Sequence, residues 1–459
     1  MERLYASAHA EEVRVANKGR VRAAVDHSGR QCASNDELNQ DPTVKRRIAF
    51  ISALSMALPC VSFAPAVQAA AFYISEIGSP GSLGTAGVAN TTNNFGADSS
   101  WTNPAGMTGL ERDMVVGGFQ LVIPKIEFDS DIAEAGGSDG GNAGNLAVIP
   151  SLFAVKKLNE RTRLGFSVTA PLGGRMNYGD DFVGRYGAQK VLLSGIALSP
   201  SVGYRINKRL SVGAGVSALY TLFDETIAIN SPGALPDSKI ENMDDWSLQP
   251  FAGVTLQATD RLLLGAVYRG KADVNLNGDL TFRSWQLPGP QPTANSAKLQ
   301  WDNPQLVEVG MRYQLDDEWS LLANADWEDW SEFSDNFLFV QGGTLDPSAA
   351  LDREWKDTWH AGIAVLRKKA NKAYSMGLSY DSSPVSDGKR TINLPMDSQL
   401  KLSAGMGMDG VRGLDCSLGA TLMYGGGAVV DQTAQGVRFK GDFDTNLILF
   451  VGGSVRYVF

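Results

Sequence analysis

The chain has 459 residues, of which 43% are hydrophobic and 20% are charged, and its formal net charge is -9. This acidic balance argues against nucleic acid as a partner, because a phosphate-binding surface has to be basic. Three cysteines and three histidines are too few for a thiolate cluster, a multi-histidine metal site or a histidine-based triad, so we predict neither a metal nor a cofactor.

An export signal is the first element along the chain. Lys45-Arg46-Arg47 precede an apolar run over residues 48–58, and Val67-Gln68-Ala69 forms a small-residue cleavage site. The run is too short for a membrane-spanning helix, which needs roughly 20 apolar residues. We therefore predict that residues 1–69 are an upstream leader plus signal peptide, removed after Ala69.

The residues before this signal do not belong to it. Residues 1–44 are polar and mixed in charge, and a signal peptide does not usually follow such a leader. Our hypothesis is that translation begins at or near Val44, from an alternative start codon. A lipoprotein interpretation of Cys60 is disfavoured by Pro59 directly before it.

Residues 70–111 differ in composition from everything that follows. They are dense in Gly, Ser, Asn and Thr and show neither a helical nor a strand period. Such a segment buries too little apolar surface to fold alone. Because a long alternating array follows it, we predict an amino-terminal hatch that plugs a β-barrel formed by residues 112–459.

Segments of about ten residues then alternate apolar and small or polar side chains, which is typical of transmembrane β-strands. The predicted fold class is all-β, a 14-stranded antiparallel transmembrane β-barrel that ends on Phe459. A soluble β-sandwich would also alternate, but would not explain the export signal, the loop lengths and the terminal aromatic together. Short and long connections alternate between strands predicted near 114–124, 146–156, 162–171, 190–206, 209–224, 244–258, 261–275, 297–315, 318–330, 355–367, 372–382, 398–408, 412–425 and 446–459.

Two sets of side chains in this array have a predicted place. Trp319, Trp327, Trp355 and Trp359 are expected at the membrane interfaces, as girdle residues rather than as a ligand cage. Small residues are expected to face the lumen and leave volume there for the hatch, and they are Gly165, Ser167, Gly195, Ser199, Ser201, Gly213, Gly215 and Ser217.

Four groups of residues, in a fixed order along the chain, carry a family resemblance. They are Ala70-Ala71-Phe72 with the Gly-rich sequence to Asn103-Pro104-Ala105; Ala170-Pro171 and Gly173-Gly174 with Gly184-Arg185-Tyr186; Trp327–Phe333 with Trp355–Trp359; and Asp381–Val385 with Leu394-Pro395. Together they resemble the FadL-type transporters of long-chain fatty acids and aromatic hydrocarbons in the outer membrane of Gram-negative bacteria. The resemblance implies passive uptake of a hydrophobic ligand, above all a long-chain fatty acid, by extracellular capture, a lumen site, hatch movement and lateral exit at a kinked third strand.

The resemblance also implies roles for particular residues. Phe72 and Asn103-Pro104-Ala105 match the hatch, and Ala170-Pro171 with Gly173-Gly174 match the lateral opening. A physical reason supports the opening, because Pro171 cannot donate to a β-ladder and glycines weaken strand pairing. Two simpler interpretations stay open: Pro171 only ends its strand, and Asn103-Pro104 is an ordinary turn before strand one.

A lumen cation would suit a fatty-acid carboxylate. Lys356 shares inward parity with Thr358 and His360, and we predict that it binds the carboxylate. Arg269 and Arg312 also have inward parity, and for each cation an internal pairing such as Arg312 with Glu308 is the alternative.

Three rival functions are an aromatic-hydrocarbon channel of the same family, an outer-membrane lipase and a hydrophilic porin. We expect no enzyme, because His360 is the one histidine beyond residue 27 and a nucleophile needs a base beside it. The expected partners are the hydrophobic ligand, outer-membrane lipid and lipopolysaccharide. We expect no nucleic acid and a monomeric state.

Overall fold

The structure is a computed structural model and describes residues 79–230, 237–281, 295–341, 349–352, 354–410 and 413–459. The leader, the cleavage site after Ala69, the start of the hatch domain and Phe72 lie outside the described residues, so these expectations stay predictions. Within the described ranges, no helix is long and apolar enough to cross a bilayer.

One antiparallel sheet of nineteen strand segments makes up the described fold. Pairing of the first segment with the last, from Met114↔Val458 to Ala133↔Phe439, closes the sheet into a barrel. The segments are β1 Met114–Ala133, β2 Ala147–Lys157, β3 Thr162–Asn177, β4 Lys190–Arg205, β5 Leu210–Ile227, β6 Ser238–Gln257, β7 Leu262–Arg269, β8 Ala272–Thr281, β9 Asn295–Asn303, β10 Leu306–Gln314, β11 Trp319–Glu328, β12 Asp335–Gln341, β13 Ala349–Asp352, β14 Thr358–Lys369, β15 Lys372–Asp381, β16 Gln399–Met408, β17 Leu414–Tyr424, β18 Val430–Ala434 and β19 Val437–Val458.

Four barrel strands are interrupted and therefore count as two segments each. They are β7 with β8, β9 with β10, β11 with β12, and β13 with β14, while β18 forms an outer hairpin with β19. Gly270, Pro304 and a 3-10 helix at Trp330–Ser334 stand at three of the interruptions. The predicted all-β barrel of fourteen antiparallel transmembrane strands is confirmed.

The predicted strand ends on the extracellular side were wrong in several places. β1 continues to Ala133 where a loop was expected from residue 125, and β19 begins at Val437 rather than at 446. The predicted loop 331–354 contains β12 and β13. The physical reason is that the ends carry charged residues such as Lys440 and Asp442, so the apolar alternation stops while the backbone pairing continues.

Large apolar side chains cover the outer face of the barrel. On β16 and β17 the outward residues Leu402 and Leu418 are 55% and 57% exposed, whereas the inward Lys401 and Ser403 are each 3% exposed. A contiguous apolar surface of this extent is stable in lipid rather than in water. The alternation therefore places apolar side chains on the outer face of the barrel and polar side chains on the inner face.

Of the four tryptophans predicted at the membrane interfaces, one departs from this outer surface. Trp359 and Trp319 are 64% and 38% exposed, as expected of girdle residues. Trp355 is only 5% exposed and packs against Trp330 and Phe333, so its predicted girdle position was wrong. It precedes β14 in an irregular stretch, where strand parity no longer decides which way a side chain points.

Candidate functional site

The amino-terminal segment, residues 79–110, is largely buried although it is rich in Gly, Ser, Asn and Thr. It forms two short helices, α1 (Pro80–Leu83) and α2 (Ser99–Thr102), and a 3-10 helix at Pro104–Gly109. Buried backbone groups need partners, and the barrel supplies several. Thr421 Oγ1 donates to the carbonyl of Leu83 at 2.7 Å, and Ser201 Oγ donates to that of Ser100 at 3.0 Å.

Glycines of the barrel wall encircle this segment. A Cβ added at any of these glycines would come within 2.1 to 3.1 Å of an atom of residues 83–107, which is tighter than nine in ten Cβ contacts in folded proteins. The wall is therefore in close contact with the segment on most of its circumference. This glycine collar consists of one glycine from each of eleven strands, namely Gly165, Gly203, Gly213, Gly253, Gly265, Gly310, Gly362, Gly377, Gly405, Gly419 and Gly452.

The small inward residues expected from the sequence are buried or half-buried, and several of them contact this segment. Ser167, Ser199 and Ser217 are each fully shielded from solvent. Gly165 and Gly213 belong to the collar. The prediction that small side chains face the lumen of these strands is confirmed.

Asn103 links two parts of the segment to the wall. Its Nδ2 donates to the carbonyl of Thr91 at 2.7 Å and to that of Val254 in β6 at 3.2 Å, while its Oδ1 accepts from the N–H of Ala105 at 3.1 Å. Pro104 begins the 3-10 helix, where its missing N–H is not needed. The Asn103-Pro104-Ala105 motif thus caps a helix and ties it to the barrel, and it does not lead directly into β1.

β3 has a β-bulge at Ala170-Pro171. Thr169 pairs with Ala197 and Leu172 with Gly195, so two residues of β3 oppose one residue of β4. The extra residue reverses the alternation, and Leu172 is turned inward against Gly195. Gly173 and Gly174 stay paired with β4, opposite Ser194 and Leu193.

On its other side, β3 separates from β2. Their ladder ends at Leu152↔Val168, although β2 continues to pair with β1 as far as Ala147. In the described part of the chain, residues 147–151 of β2 pair with β1 alone. A bridge between Gly144 and Met176 rejoins the wall further out. We call the gap between residues 147–151 and 169–175 the window.

Prolines stand on both sides of the window. Pro150 lies in β2, opposite Phe119 of β1, and Pro171 lies in the bulge of β3. Neither can donate to a ladder across the gap. The sequence pointed to Pro171 and its neighbouring glycines, whereas Pro150 was missed because β2 has an otherwise ordinary apolar pattern.

A network of charged side chains lines the wall opposite the window. Asp381 contacts His360 Nδ1 at 2.9 Å and forms an ion pair with Lys401 Nζ at 3.1 Å, and Asn324 Nδ2 donates to Glu308 at 3.0 Å. A cavity of about 40 Å³ lies between this wall and the amino-terminal segment. The network contains more carboxylates than permanent cations. Its carboxylates are Glu308, Asp326, Glu328 and Asp381, and its permanent cations are Arg269 and Lys401.

The inward cations predicted from parity have different surroundings. Arg269 and Arg312 both contact the amino-terminal segment: the first donates to the carbonyl of Trp101, and the second donates to Asn94 Oδ1 at 2.8 Å. Glu308 bonds Thr91 and Asn324, so the considered pairing of Arg312 with Glu308 is not formed. Lys356 is exposed just before β14, and its N–H donates to the carbonyl of Pro384 at 2.7 Å.

Two aromatic clusters wall the extracellular half of the barrel. In the first, the rings of Trp301, Trp330, Phe333 and Trp355 lie 4.8 to 5.8 Å from their neighbours. The second joins Phe128, Tyr178, Phe182, Phe439 and Phe443, with Tyr178 stacked on Phe182 at 4.4 Å. Such surfaces can pack against hydrocarbon. No motif in the sequence predicts these clusters, because their members come from distant segments.

A larger cavity, of about 380 Å³, lies at the periplasmic end. Its walls include Phe95 and Asp98 of the amino-terminal segment, Arg312, Met406 and Arg456 of the barrel. It is separated from the aromatic clusters by the part of the segment held in the glycine collar.

A closed barrel of this size with a lipid-facing apolar belt defines a protein of the bacterial outer membrane. The chain belongs to the outer membrane protein transport protein family (OMPP1/FadL/TodX), whose family model matches residues 60–459. This family transports hydrophobic compounds across the outer membrane.

Individual relatives are distant in sequence and similar in fold. The chain is 25% identical over 412 residues to the long-chain fatty acid transport protein of Escherichia coli O6:H1 strain CFT073, covering 82% of this chain and 91% of that protein. The crystal structure of a Pseudomonas aeruginosa FadL homologue matches with a TM-score of 0.76 and 22% identity, over 84% of this chain and 99% of the other. The Ralstonia pickettii toluene transporter TbuX matches with a TM-score of 0.63 and 18% identity, over the same shares.

Proposed function

We propose that this protein takes up long-chain fatty acids passively across the outer membrane and releases them sideways through the window. In this proposal the ligand is captured at the extracellular loops and moves along the aromatic clusters. Displacement of the amino-terminal segment, acting as a hatch, then opens the path to the window. The protein acts as a monomer, surrounded by outer-membrane lipid and lipopolysaccharide.

The observation that carries the proposal is the interrupted ladder between β2 and β3. A barrel in lipid has to satisfy its backbone groups, and a strand edge inside the membrane is avoided unless it has a purpose. Here the ladder stops at Leu152↔Val168 while both strands continue. Ala170, Pro171, Gly173 and Gly174 lie on the β3 side of this edge.

The glycine collar supports the hatch role of residues 79–110. A wide hydrophilic passage is not compatible with a segment in close contact with eleven strands. Phe72 and Asn103-Pro104-Ala105 are the proposed hatch residues, and Asn103 is the joint between the hatch and β6. A general porin would conduct ions steadily, and we expect almost no conductance.

The choice of a fatty acid follows the curated relative from Escherichia coli, which is a long-chain fatty acid transport protein. Lys356, exposed at the extracellular side, is the proposed first contact for the carboxylate. An enzymatic role has little support, because the ring nitrogens of His360 contact Asp381 and Asn324 rather than a hydroxyl group. An esterase assay on the purified protein tests the lipase alternative.

The decisive test changes the window in cells that lack other fatty-acid transporters. A variant carrying Pro171→Val, Gly173→Val and Gly174→Val should pair more continuously. We expect slower uptake of radiolabelled oleate with an unchanged affinity of the purified protein for oleate. Gly117→Val is the matched control, because a side chain at this β1 glycine meets nothing within 4 Å.

Unchanged oleate uptake by the window variant would rule out the lateral route. Growth of the complemented strain on oleate and on toluene separates the two ligand classes. Growth restored on toluene alone would replace the fatty-acid proposal by uptake of aromatic hydrocarbons.

A further inference from the structure

The loop between β15 and β16, residues 382–398, crosses the extracellular mouth of the barrel. β15 and β16 are the eleventh and twelfth of the fourteen strands, when the two segments of an interrupted strand count as one. The loop nevertheless contacts the fifth strand, because Asn393 Nδ2 donates to Glu225 Oε1 of β5 at 2.9 Å. Five strands separate these two parts of the wall on one side and six on the other. The loop therefore spans the mouth from wall to wall, and we call it the strap.

The tip of the strap, Ile392-Asn393, contacts the far side of the mouth through side chains. The hydroxyl of Tyr178, which follows β3, donates to the carbonyl of Ile392 at 3.0 Å. The N–H of Ile392 donates to Gln432 Oε1 of β18 at 3.0 Å, and Ile392 is 0% exposed. Within the described residues, no β-ladder joins the strap to the strands that it reaches. The tip is therefore held by separate hydrogen bonds, each of which contributes little on its own.

The strap is held more firmly next to its tip, at Arg390. This side chain is 2% exposed, and its guanidinium donates to the carbonyls of Met396 and Val429, each at 2.7 Å. It also forms an ion pair with Asp397 at 3.3 Å, and Asp397 in turn accepts from the N–H of Ala428 at 2.9 Å. Charge-assisted hydrogen bonds are roughly twice as strong as neutral ones. A movement of the strap should therefore begin at its tip rather than at Arg390.

The strap covers the second aromatic cluster. Tyr178 belongs to that cluster, and the rings of Phe182, Phe439 and Phe443 are at most 1% exposed. A ligand that approaches from outside finds these rings shielded, so passage along them requires an opening. The strap contains neither a helix nor a strand. Connections longer than about 12–15 residues without secondary structure are usually lids, binding loops or linkers, which makes the strap the element best suited to open.

We propose that the strap is an entry lid: release of its tip from Tyr178 and Glu225 admits the hydrophobic ligand to the second aromatic cluster, and its return closes the mouth. Thermal motion is sufficient for this, because loops move on the nanosecond to microsecond timescale. The lid rests on the uptake proposed above but not on the class of ligand, since a fatty acid and a hydrocarbon both have to pass the mouth.

The test fixes the strap to the far wall in the full-length protein in cells. Glu225→Cys and Asn393→Cys are combined in a Cys416→Ser background, because Cys416 is the one cysteine among the described residues. A short bis-methanethiosulfonate links the two thiols, and mass spectrometry confirms the link. We expect uptake of oleate, and any protein-dependent uptake of toluene, to fall to the level of cells without the protein. Dithiothreitol should restore uptake, which shows that the variant is folded.

The matched control is a pair of cysteines within the outer hairpin, Asp431→Cys with Arg438→Cys. The native side chains are 2.8 Å apart and partly exposed, so the same reagent can link β18 to β19 without touching the strap. Uptake by the linked control should stay unchanged. Undiminished uptake by the linked Glu225/Asn393 variant, or an equal loss in the control, would overturn the lid alone.

The wild type separates the lid from the proposed function. If it takes up toluene and no oleate, the fatty-acid proposal fails, and loss of toluene uptake on cross-linking still supports the lid. If it takes up neither compound, the proposed function is overturned and the lid with it.

Discussion

The guanidinium carbon of Arg269 lies 3.9 Å from the centroid of the Trp101 ring, and the same side chain donates to the Trp101 carbonyl. Phe251 borders the guanidinium at 4.8 Å, so aromatic rings from the amino-terminal segment and from the barrel both contact it. Arg269 is 3% exposed and Trp101 is 4% exposed. This contact joins the middle of the amino-terminal segment to β7, and a displaced segment would have to break it.

Replacing Arg269 by methionine should therefore loosen the amino-terminal segment, the proposed hatch. The change keeps the apolar stem but removes a desolvated cation–π contact, worth about 2 kcal/mol. We expect a lower temperature of unfolding and an increased conductance in planar bilayers. Arg367→Met is the control, since its guanidinium is 5.1 Å from the ring of Trp319 but 38% exposed. Equal effects of the two substitutions would contradict a special role for Arg269.

The glycine collar makes a second prediction, at Gly213. A Cβ there would lie 2.5 Å from the nitrogen of Ala105 and 2.5 Å from the carbonyl carbon of Pro104, both backbone atoms that cannot rotate away. We expect Gly213→Ala to destabilise the barrel by about 1–3 kcal/mol, as overpacking does. Urea unfolding monitored by tryptophan fluorescence measures the change. Gly117→Ala, which has open space around it, should be neutral or stabilising, and a loss of similar size there would refute the collar.

Much of the barrel could be read from the sequence because lipid and lumen impose a two-residue period on each strand. Leu402 and Leu418 point outward and Ser403 points inward, as the alternation predicts. The period disappears where water replaces lipid. That is why the paired but charged stretch around Lys440 and Asp442 was predicted as a loop.

The candidate site was harder to predict from the sequence, because it depends on the register between strands rather than on the parity of residues within one strand. Parity predicted that His360 faces inward, but its contact with Asp381 and the neighbouring Lys401 follows from how β14, β15 and β16 are aligned. The bulge at Pro171 has a local cause and could be expected. The end of the β2–β3 ladder is a relationship between two strands, and no single residue of the sequence indicates it.

We expect the free energy of unfolding to fall at alkaline pH because of a tyrosine in the extracellular loops. Burial raises the pKa of Tyr178 well above its usual value, and its hydroxyl donates to the carbonyl of Ile392 at 3.0 Å. In the unfolded chain this phenol would ionise near pH 10, about its usual pKa. Because the folded-state pKa is the higher one, the stability contribution is complete below about pH 10 and falls as the pH rises beyond it.

Tyr178→Phe isolates this group. The variant should lose about 1 kcal/mol at neutral pH through the missing hydrogen bond, and it should lose less stability than the wild type above about pH 10. Thermal unfolding of the variant and the wild type at pH 8 and at pH 11 measures both differences in stability. If the stability of the wild type falls no more steeply with rising pH than that of the variant, Tyr178 is not the group that causes the alkaline loss of stability.

Lys356 tests the capture step in isolation from the window. Its exposed ammonium group can attract a fatty-acid carboxylate, but solvent screens exposed pairs, which contribute at most about 1 kcal/mol. We therefore expect Lys356→Gln to weaken oleate binding by about fivefold at most, and less at high salt because ionic screening removes the attraction. Lys389→Gln is the matched control, since that extracellular lysine is held by Glu354. If titration of the purified proteins with oleate gives the same salt dependence for both variants and the wild type, Lys356 does not bind the carboxylate, and capture depends on the aromatic clusters.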